Sequence, residues 1–410
     1  MVIEINMIQT VCVGVLVYLL GDFFVKKVSI FRKYCIPAPV IGGLILAIIN
    51  LIGVQTGAFS FKFDNTLKDF FMIAFFSTIG FSASLKIIKQ GGIAIVIMFI
   101  VSVLMLIIQN VWGVTIARFF NINPLFGLCA GSISLMGGVG SSAAYGPLME
   151  ANGADGALAV AIASATFGLV MGGLVSGPIA KFLIDKKDLL KKAQLSDKAN
   201  TSKNIDYSSL EVEDDDPEII RTSELSKGFF MIVIAMGIGT VITMLISKTG
   251  LVIPAYIGAI FAAAIIRNVA DGKKVELPHA EIAVLGNIFL SVFLAMTIMS
   301  LEIWKIAGMA LPLITILIGQ VILLVLFDIF VVFRAAGKDY DSAVMTAGFY
   351  GYAMGATPNA MASMSAVVDK YGRPSPKAYF TIPIVGGFII DLTMSLLVIG
   401  HMNLILAGIL

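Results

Sequence analysis

The sequence predicts an all-α membrane protein made of two inverted repeats of five transmembrane helices, each with a re-entrant hairpin between its fourth and fifth helix. Three observations lead there. The chain is 58% hydrophobic and 13% charged, with a mean hydropathy of +0.97. That is outside the soluble class, and apolar runs of bilayer-spanning length recur from end to end. Second, two stretches between such runs are crowded with small and polar residues: Ala130–Ala144, AGSISLMGGVGSSAA, and Gly348–Ser365, GFYGYAMGATPNAMASMS. Third, matching motifs occur in both halves in the same order.

The elements follow in chain order. Helix 1 runs from about Asn6 to Phe24. No basic n-region or small-residue cleavage site accompanies it, so it reads as a retained helix. Helix 2 opens with Ile36-Pro37-Ala38-Pro39, since proline suits a first helical turn, and ends near Ile52. A mildly polar loop, Gly53–Asn65, leads to helix 3, about Leu67–Ser82, and helix 4, about Gly92–Phe120. The first interrupted segment covers 125–150, and helix 5 runs from about Asp155 to Leu183. Residues 185–227 are charged, with the acidic run Glu213-Asp214-Asp215-Asp216, and read as a solvated linker. It divides an N-terminal membrane unit, 1–184, from a C-terminal one, 228–410. The second unit has helices near Gly228–Ser247, Ile253–Arg267, Glu281–Ser300 and Met309–Phe333. The second interrupted segment, 340–368, follows, and a last helix spans about Tyr379–Ile399.

The halves repeat. Ile36-Pro37-Ala38 returns as Ile253-Pro254-Ala255, and Ser84-Leu85, Ile87, Lys89 and Gly92 return as Ser300-Leu301, Ile303, Lys305 and Gly308. Gly172-Gly173 returns as Gly386-Gly387. Constant order and spacing mark an internal duplication. Basic clusters follow helices 1, 3, 7 and 9, which places them and the linker in the cytoplasm and both termini outside. Five spans per repeat then invert the second half, and the two interrupted segments enter from opposite faces to meet near the midplane.

Those segments carry the chemistry. Glycines and Pro358 leave backbone groups unpaired, which is tolerated at membrane depth only in protein or beside a wet cavity. Gly137, Gly138, Gly140, Ser141 and Ser142 read either as close helix packing or as a turn whose N–H groups attract a carboxylate. Around Gly355, Thr357 and Asn359, carbonyls and side-chain oxygens suit Na⁺, and the amides beyond suit an anion; a purely structural turn is the other reading. Ser134, Gly138, Gly351, Gly355, Thr357 and Asn359 are the Na⁺ candidates. Asp391 lies mid-helix, where a charge costs ~2.5–3.5 kcal/mol on insertion scales, and is a functional candidate. Asp328 sits near a helix end and Arg334, which makes it less telling. Asn287, Ser291 and Gln320 are assigned packing hydrogen bonds, and Glu150 and Asp155 solvation at the outer interface. Cys12, Cys35 and Cys129 form no CxxC pair and read as reduced and structural.

No HExxH, GxSxG, GxxxxGK[ST] or strand-borne GxGxxG is present. An enzyme is therefore not expected, nor a cofactor beyond a coupling ion, nor a nucleic-acid partner. Without a P-loop, ATP cannot drive transport within this chain. A channel using the interrupted segments as a filter and a proton-coupled carrier with Asp391 as relay are the competing readings.

Ile36-Pro37-x-Pro39-x-x-Gly42-Gly43, the glycine box Gly137–Gly140, Ala165-Thr166-Phe167-Gly168-Leu169-Val170, Gly355-Ala356-Thr357-Pro358 with Ala360, Val385-Gly386 and Ile390-Asp391 resemble the bacterial sodium/glutamate symporters, and the related citrate/sodium symporters in plan. The likeness covers nearly the whole chain outside the linker. It implies a homodimer in the cell inner membrane, a scaffold and a moving transport domain, and Na⁺-coupled L-glutamate uptake by an elevator motion. Carriage of another small dicarboxylate or amino acid is the alternative. One position departs: the glycine box has Val139 where that family often has His, which bears on specificity. The box around Tyr350 and Tyr352 is bulky for a pocket wall.

Overall fold

The computed structural model describes residues 1–34, 36–86, 92–191, 193, 222–250 and 253–409. Its first helix, α1 (Met7–Lys27), begins where the sequence supplies a cap. Gln9 N donates to Asn6 Oδ1 at 2.9 Å, and Asn6 N donates to Gln9 Oε1 at 3.1 Å. This reciprocal pair satisfies two of the donors a helix start leaves free. After the short α2 (Ser29–Lys33), α3 (Ala38–Gln55) starts at Pro37, with proline in its first turn as expected. There follow α4 (Thr66–Ser82), α5 (Gly92–Phe119), the short α6 (Leu125–Cys129) and α7 (Ser132–Leu135), α8 (Gly138–Ala151) and α9 (Ala157–Lys186). The second half comprises α10 (Thr222–Ser247), α11 (Ile257–Lys273), α12 (His279–Met299), a 3₁₀ turn at Ile303–Met309, α13 (Ala310–Ala336), α14 (Tyr340–Ala353), α15 (Thr357–Tyr371) and α16 (Pro376–Leu406).

Among the described residues, eight helices are long and apolar enough to cross a membrane: α1, α3, α5, α9, α10, α12, α13 and α16. The other two of the ten expected spans, α4 and α11, have 17 residues each, about 26 Å of rise against a hydrocarbon core of about 30 Å. Two corrections concern boundaries and class. Helix α9 continues through Lys186 and α10 begins at Thr222, so helix takes both ends of the expected linker. At the second junction the Lys227–Glu224 ion pair, 2.5 Å, supports the added turn. The remainder, residues 192 and 194–221, lies outside the described residues. Nor is the chain wholly helical: Val2–Ile5 (β1), ahead of α1, and Ser60–Phe63 (β2), in the mildly polar loop, pair in parallel. The strand residues alternate in exposure along β1, and the rings of Phe59, Phe61 and Phe63 contact one another in turn at tilted angles.

The helices sort into two contact groups. One comprises α1, α3, α4, α10, α11 and α12; the other comprises α5 to α9 and α13 to α16. Small residues set the crossings in the first group. Gly21 of α1 meets Ala38 and Gly42 of α3, and Gly239 of α10 meets Gly258 and Ala259 of α11. Buried polar bonds tie the second group. Gln109 Nε2 donates to Ala353 O at 2.9 Å, Gln320 Nε2 to Gln109 O at 2.8 Å, and Trp112 Nε1 to Ile316 O at 3.1 Å. Gln320 thus makes the packing bond expected of it. At one rim of the molecule Lys305 Nζ donates to Asp155 Oδ1 at 2.7 Å and also pairs with Glu302, and these bonds raise its pKa. Asp155, expected to be merely solvated, therefore holds the turn before α13 against the start of α9.

Candidate functional site

Both interrupted segments break where their glycines predict. The first is divided at Ala130-Gly131 and again at Met136-Gly137, leaving α6, α7 and α8; the second breaks once, at Met354–Ala356, between α14 and α15. Gly138 has φ +66°, in the left-handed region that an L side chain enters at a cost. A Cβ placed on it would lie 3.1 Å from the carbonyl oxygen of Gly355. The two breaks therefore face one another across a gap that admits no side chain.

Beside this gap lies a cavity of about 340 Å³, at the lower end for small-molecule sites. Its polar side is made by Gly137, Gly138, Gly140, Ser141, Gly355, Thr357, Gly386 and Asp391, all from the second contact group. Facing it, Pro37, Phe75, Phe76, Ile79, Leu290 and Leu294 come from the first, and Met136, Val139, Leu169, Ala356 and Pro358 add apolar surface from the second. Phe76 is held in that wall by stacking on Tyr256, with ring centroids 3.8 Å apart. Neither α8 nor α15 has a side-chain cap at its N-terminus. Their first-turn N–H groups, with the positive dipole ends of two helices of 14 and 15 residues, are left for whatever enters. Thr357 Oγ1 donates to Gly386 O at 2.9 Å, within the π turn Val385–Ile389 of α16. Asp391 follows that turn and, among the described residues, is the only ionisable one in the cavity lining.

The structure thus gathers seven of the nine residues singled out for substrate. Ser142 and Asn359 are not in the lining. Ser142 Oγ donates to Gly138 O at 2.8 Å and to Ser134 Oγ at 3.0 Å, and Ser134 bonds Cys129 O and, at 2.8 Å, Ala161 O. Asn359 Nδ2 donates to Leu169 O at 2.8 Å and pins α15 to α9. Of the Na⁺ candidates, Gly138, Gly355 and Thr357 line the cavity, whereas Gly351 packs against Ala360 behind it. Val139, the departing position, is a lining residue. Tyr350 and Tyr352 are not; both are buried, and Tyr352 Oη shares a 2.7 Å hydrogen bond with Ser102 of α5. The bulk of that box therefore fills the interior of the second group. The sequence reading missed the apolar wall. Phe75, Phe76, Ile79, Leu290 and Leu294 sit in ordinary hydrophobic helices, and no local signal sets them apart.

The sodium/glutamate symporter family model matches residues 3–373. The chain belongs to the sodium/glutamate symporter family. It is 36% identical over 405 residues to the sodium/glutamate symporter of Escherichia coli (strain K12), covering 96% of this chain and 97% of that protein. The Haemophilus influenzae symporter is 36% identical over 386 residues, 94% of each chain. The family is one of transporters, not enzymes, in accord with the missing catalytic motifs. Its match spans both breaks and most of the cavity lining; Gly386 and Asp391 lie beyond residue 373, within the reach of the full-length relatives.

Proposed function

We propose that this protein takes up L-glutamate together with Na⁺, with the substrate bound in the cavity between the two breaks. The observation that carries this reading is the convergence of two uncapped helix N-termini and one carboxylate, Asp391, on a single cavity. Glutamate has two carboxylates and one ammonium group. The free N–H groups at α8 and α15 suit the carboxylates, and Asp391 suits the ammonium. Bound glutamate and Asp391 together carry net negative charge in a lining with no Lys, Arg or His, so a cation must enter with the substrate. Gly138, Gly355 and Thr357 offer oxygens for Na⁺ at the gap. The names of the relatives supply the same substrate and ion.

The motion we propose is an elevator. The polar side of the cavity belongs wholly to one group of helices, and the facing wall is smooth and apolar, so the first group would serve as scaffold and the second as the moving domain. The inverted repeat is supported by the contact pattern. Exchanging the halves maps α1 against α3 onto α10 against α11, α3 against α12 onto α11 against α4, and α5 against α6 onto α13 against α14. On that reading α4 and α11 count as short spans, α6–α8 and α14–α15 are re-entrant hairpins, and the protein is a homodimer with the linker in the cytoplasm. Uptake of labelled L-glutamate into proteoliposomes, with and without a Na⁺ gradient and with aspartate and citrate as competitors, tests it. Uptake driven equally by a proton gradient in Na⁺-free buffer would overturn the coupling. Val139 in the lining favours one variant reading, that a related dicarboxylate or amino acid competes well with glutamate.

A further inference from the structure

The cavity accounts for Asp391 but not for Asp328, a second carboxylate buried within a membrane helix. Asp328 is 0% exposed, and neither Oδ1 nor Oδ2 has a hydrogen-bond partner among the described residues. Its nearness to Arg334 suggested an ordinary helix-end charge. The structure corrects this: Arg334 is exposed, lies over the Phe330 ring at 5.5 Å, and makes no ion pair with Asp328. Asp328 continues the buried stripe of α13 through Gln320 and Leu324, and a π turn, Asp328–Val332, begins at this residue. Such turns recur at functional sites. Helices α5 and α14 pack against the turn. Their only Lys, Arg or His is Arg118, at the far end of α5. On α14, Tyr350 and Tyr352 are both buried, and the Phe349 ring lies 6.1 Å from that of Phe327, the residue before Asp328. Tyr352 is already bonded to Ser102, but the buried Tyr350 hydroxyl has no partner among the described residues.

An ionised carboxylate with no donor and no counter-ion is the most costly arrangement a membrane interior offers. Three orphaned oxygens on two helices packed together, two of them on a carboxyl, are what a small cation would satisfy. We propose that Asp328 and the Tyr350 hydroxyl form a second intramembrane site, for a monovalent cation, separate from the cavity at the breaks. The shared chemistry is capture by carboxylate and phenol oxygens, and the cation is H⁺ or Na⁺. Tyr350 stands on α14, four residues before Met354, where the second break begins. Filling or emptying the site therefore acts on the helix that positions the cavity tip.

The test uses purified full-length protein without substrate, so it stands or falls apart from the transport reading. In one arm, infrared difference spectroscopy seeks the carbonyl stretch of a buried protonated carboxyl. If the cation is H⁺, the wild type has that band and Asp328→Asn lacks it. In the other arm, Na⁺ binding is titrated at constant pH. If the cation is Na⁺, Asp328→Asn raises the half-saturating concentration roughly tenfold or more, and Tyr350→Phe raises it less. Should the Asn variant not fold, Asp328→Glu, which shifts the band or the affinity, gives the same two comparisons. A wild type with no protonated band at Asp328, together with unchanged Na⁺ binding in the variants, overturns the proposal.

Discussion

At Gly138 one backbone conformation and one close contact decide what a residue can be. An L side chain at its φ of +66° costs roughly 1–2 kcal/mol, and its Cβ would press on the Gly355 carbonyl at 3.1 Å. Gly138→Ala should fold but lose substrate affinity, read by titrating glutamate onto the purified protein; unchanged affinity would place the substrate away from the gap. Asp391→Asn should act more strongly. Removing one partner of a buried charge pair costs roughly 3–5 kcal/mol, which is orders of magnitude in affinity. If Asp391 holds the ammonium, a dicarboxylate lacking the amine should be nearly indifferent to the change. If it holds Na⁺, the sodium requirement should rise for every substrate. Separate titrations of glutamate and Na⁺ distinguish these, and normal affinity for both would remove Asp391 from the site.

The hairpin of α14 and α15 shows how an element keeps its shape. A Cβ on Gly351 would come within 2.6 Å of the Ala360 backbone, which cannot yield without parting the two helices. One on Gly348 would meet the Met364 Sδ at 2.7 Å and Ile382 Cγ2 at 2.9 Å, side-chain atoms that can shift where backbone cannot. Gly351→Ala should therefore cost roughly 1–3 kcal/mol, as overpacking does, and abolish uptake, while Gly348→Ala should be milder in both. Thermal unfolding and uptake, measured side by side, check the order. The reverse ranking would mean that the tip is not held by this contact.

Across the whole molecule, the boundary between the two helix groups is where motion is expected. Gly140 and Leu290 face one another over it, since a Cβ on Gly140 would lie 3.6 Å from Leu290 Cδ1. Joining Gly140→Cys to Leu290→Cys with a short cleavable thiol cross-linker should stop uptake, and cleavage should restore it. Full activity of the linked protein would exclude sliding at this boundary. Orientation has its own test. With single cysteines at Ser196 and Thr56, an impermeant reagent on intact cells should label Thr56→Cys and spare Ser196→Cys.

The sequence by itself determined the membrane class, the order of helices, the two breaks and most of the polar side of the cavity. Each of these rests on local physics: apolar length, proline at a first turn, glycine where backbone must be bare, a carboxylate deep in an apolar run. Only the tertiary structure decided the rest. Phe75, Phe76 and Leu290 became one wall of the site because α4 and α12 pack together, and nothing in their own helices says so. Asn359 and Ser142 turned away from the cavity because Leu169 O, Gly138 O and Ser134 Oγ lay nearer to hand. Asp328 looked like a helix-end charge, yet it continues the buried stripe of Gln320 and Leu324, and the packing of α5 and α14 against its turn takes it out of water. Small local signals specify where a chain can bend and what it can bind; partners, and therefore burial, are set by helices far apart in the chain.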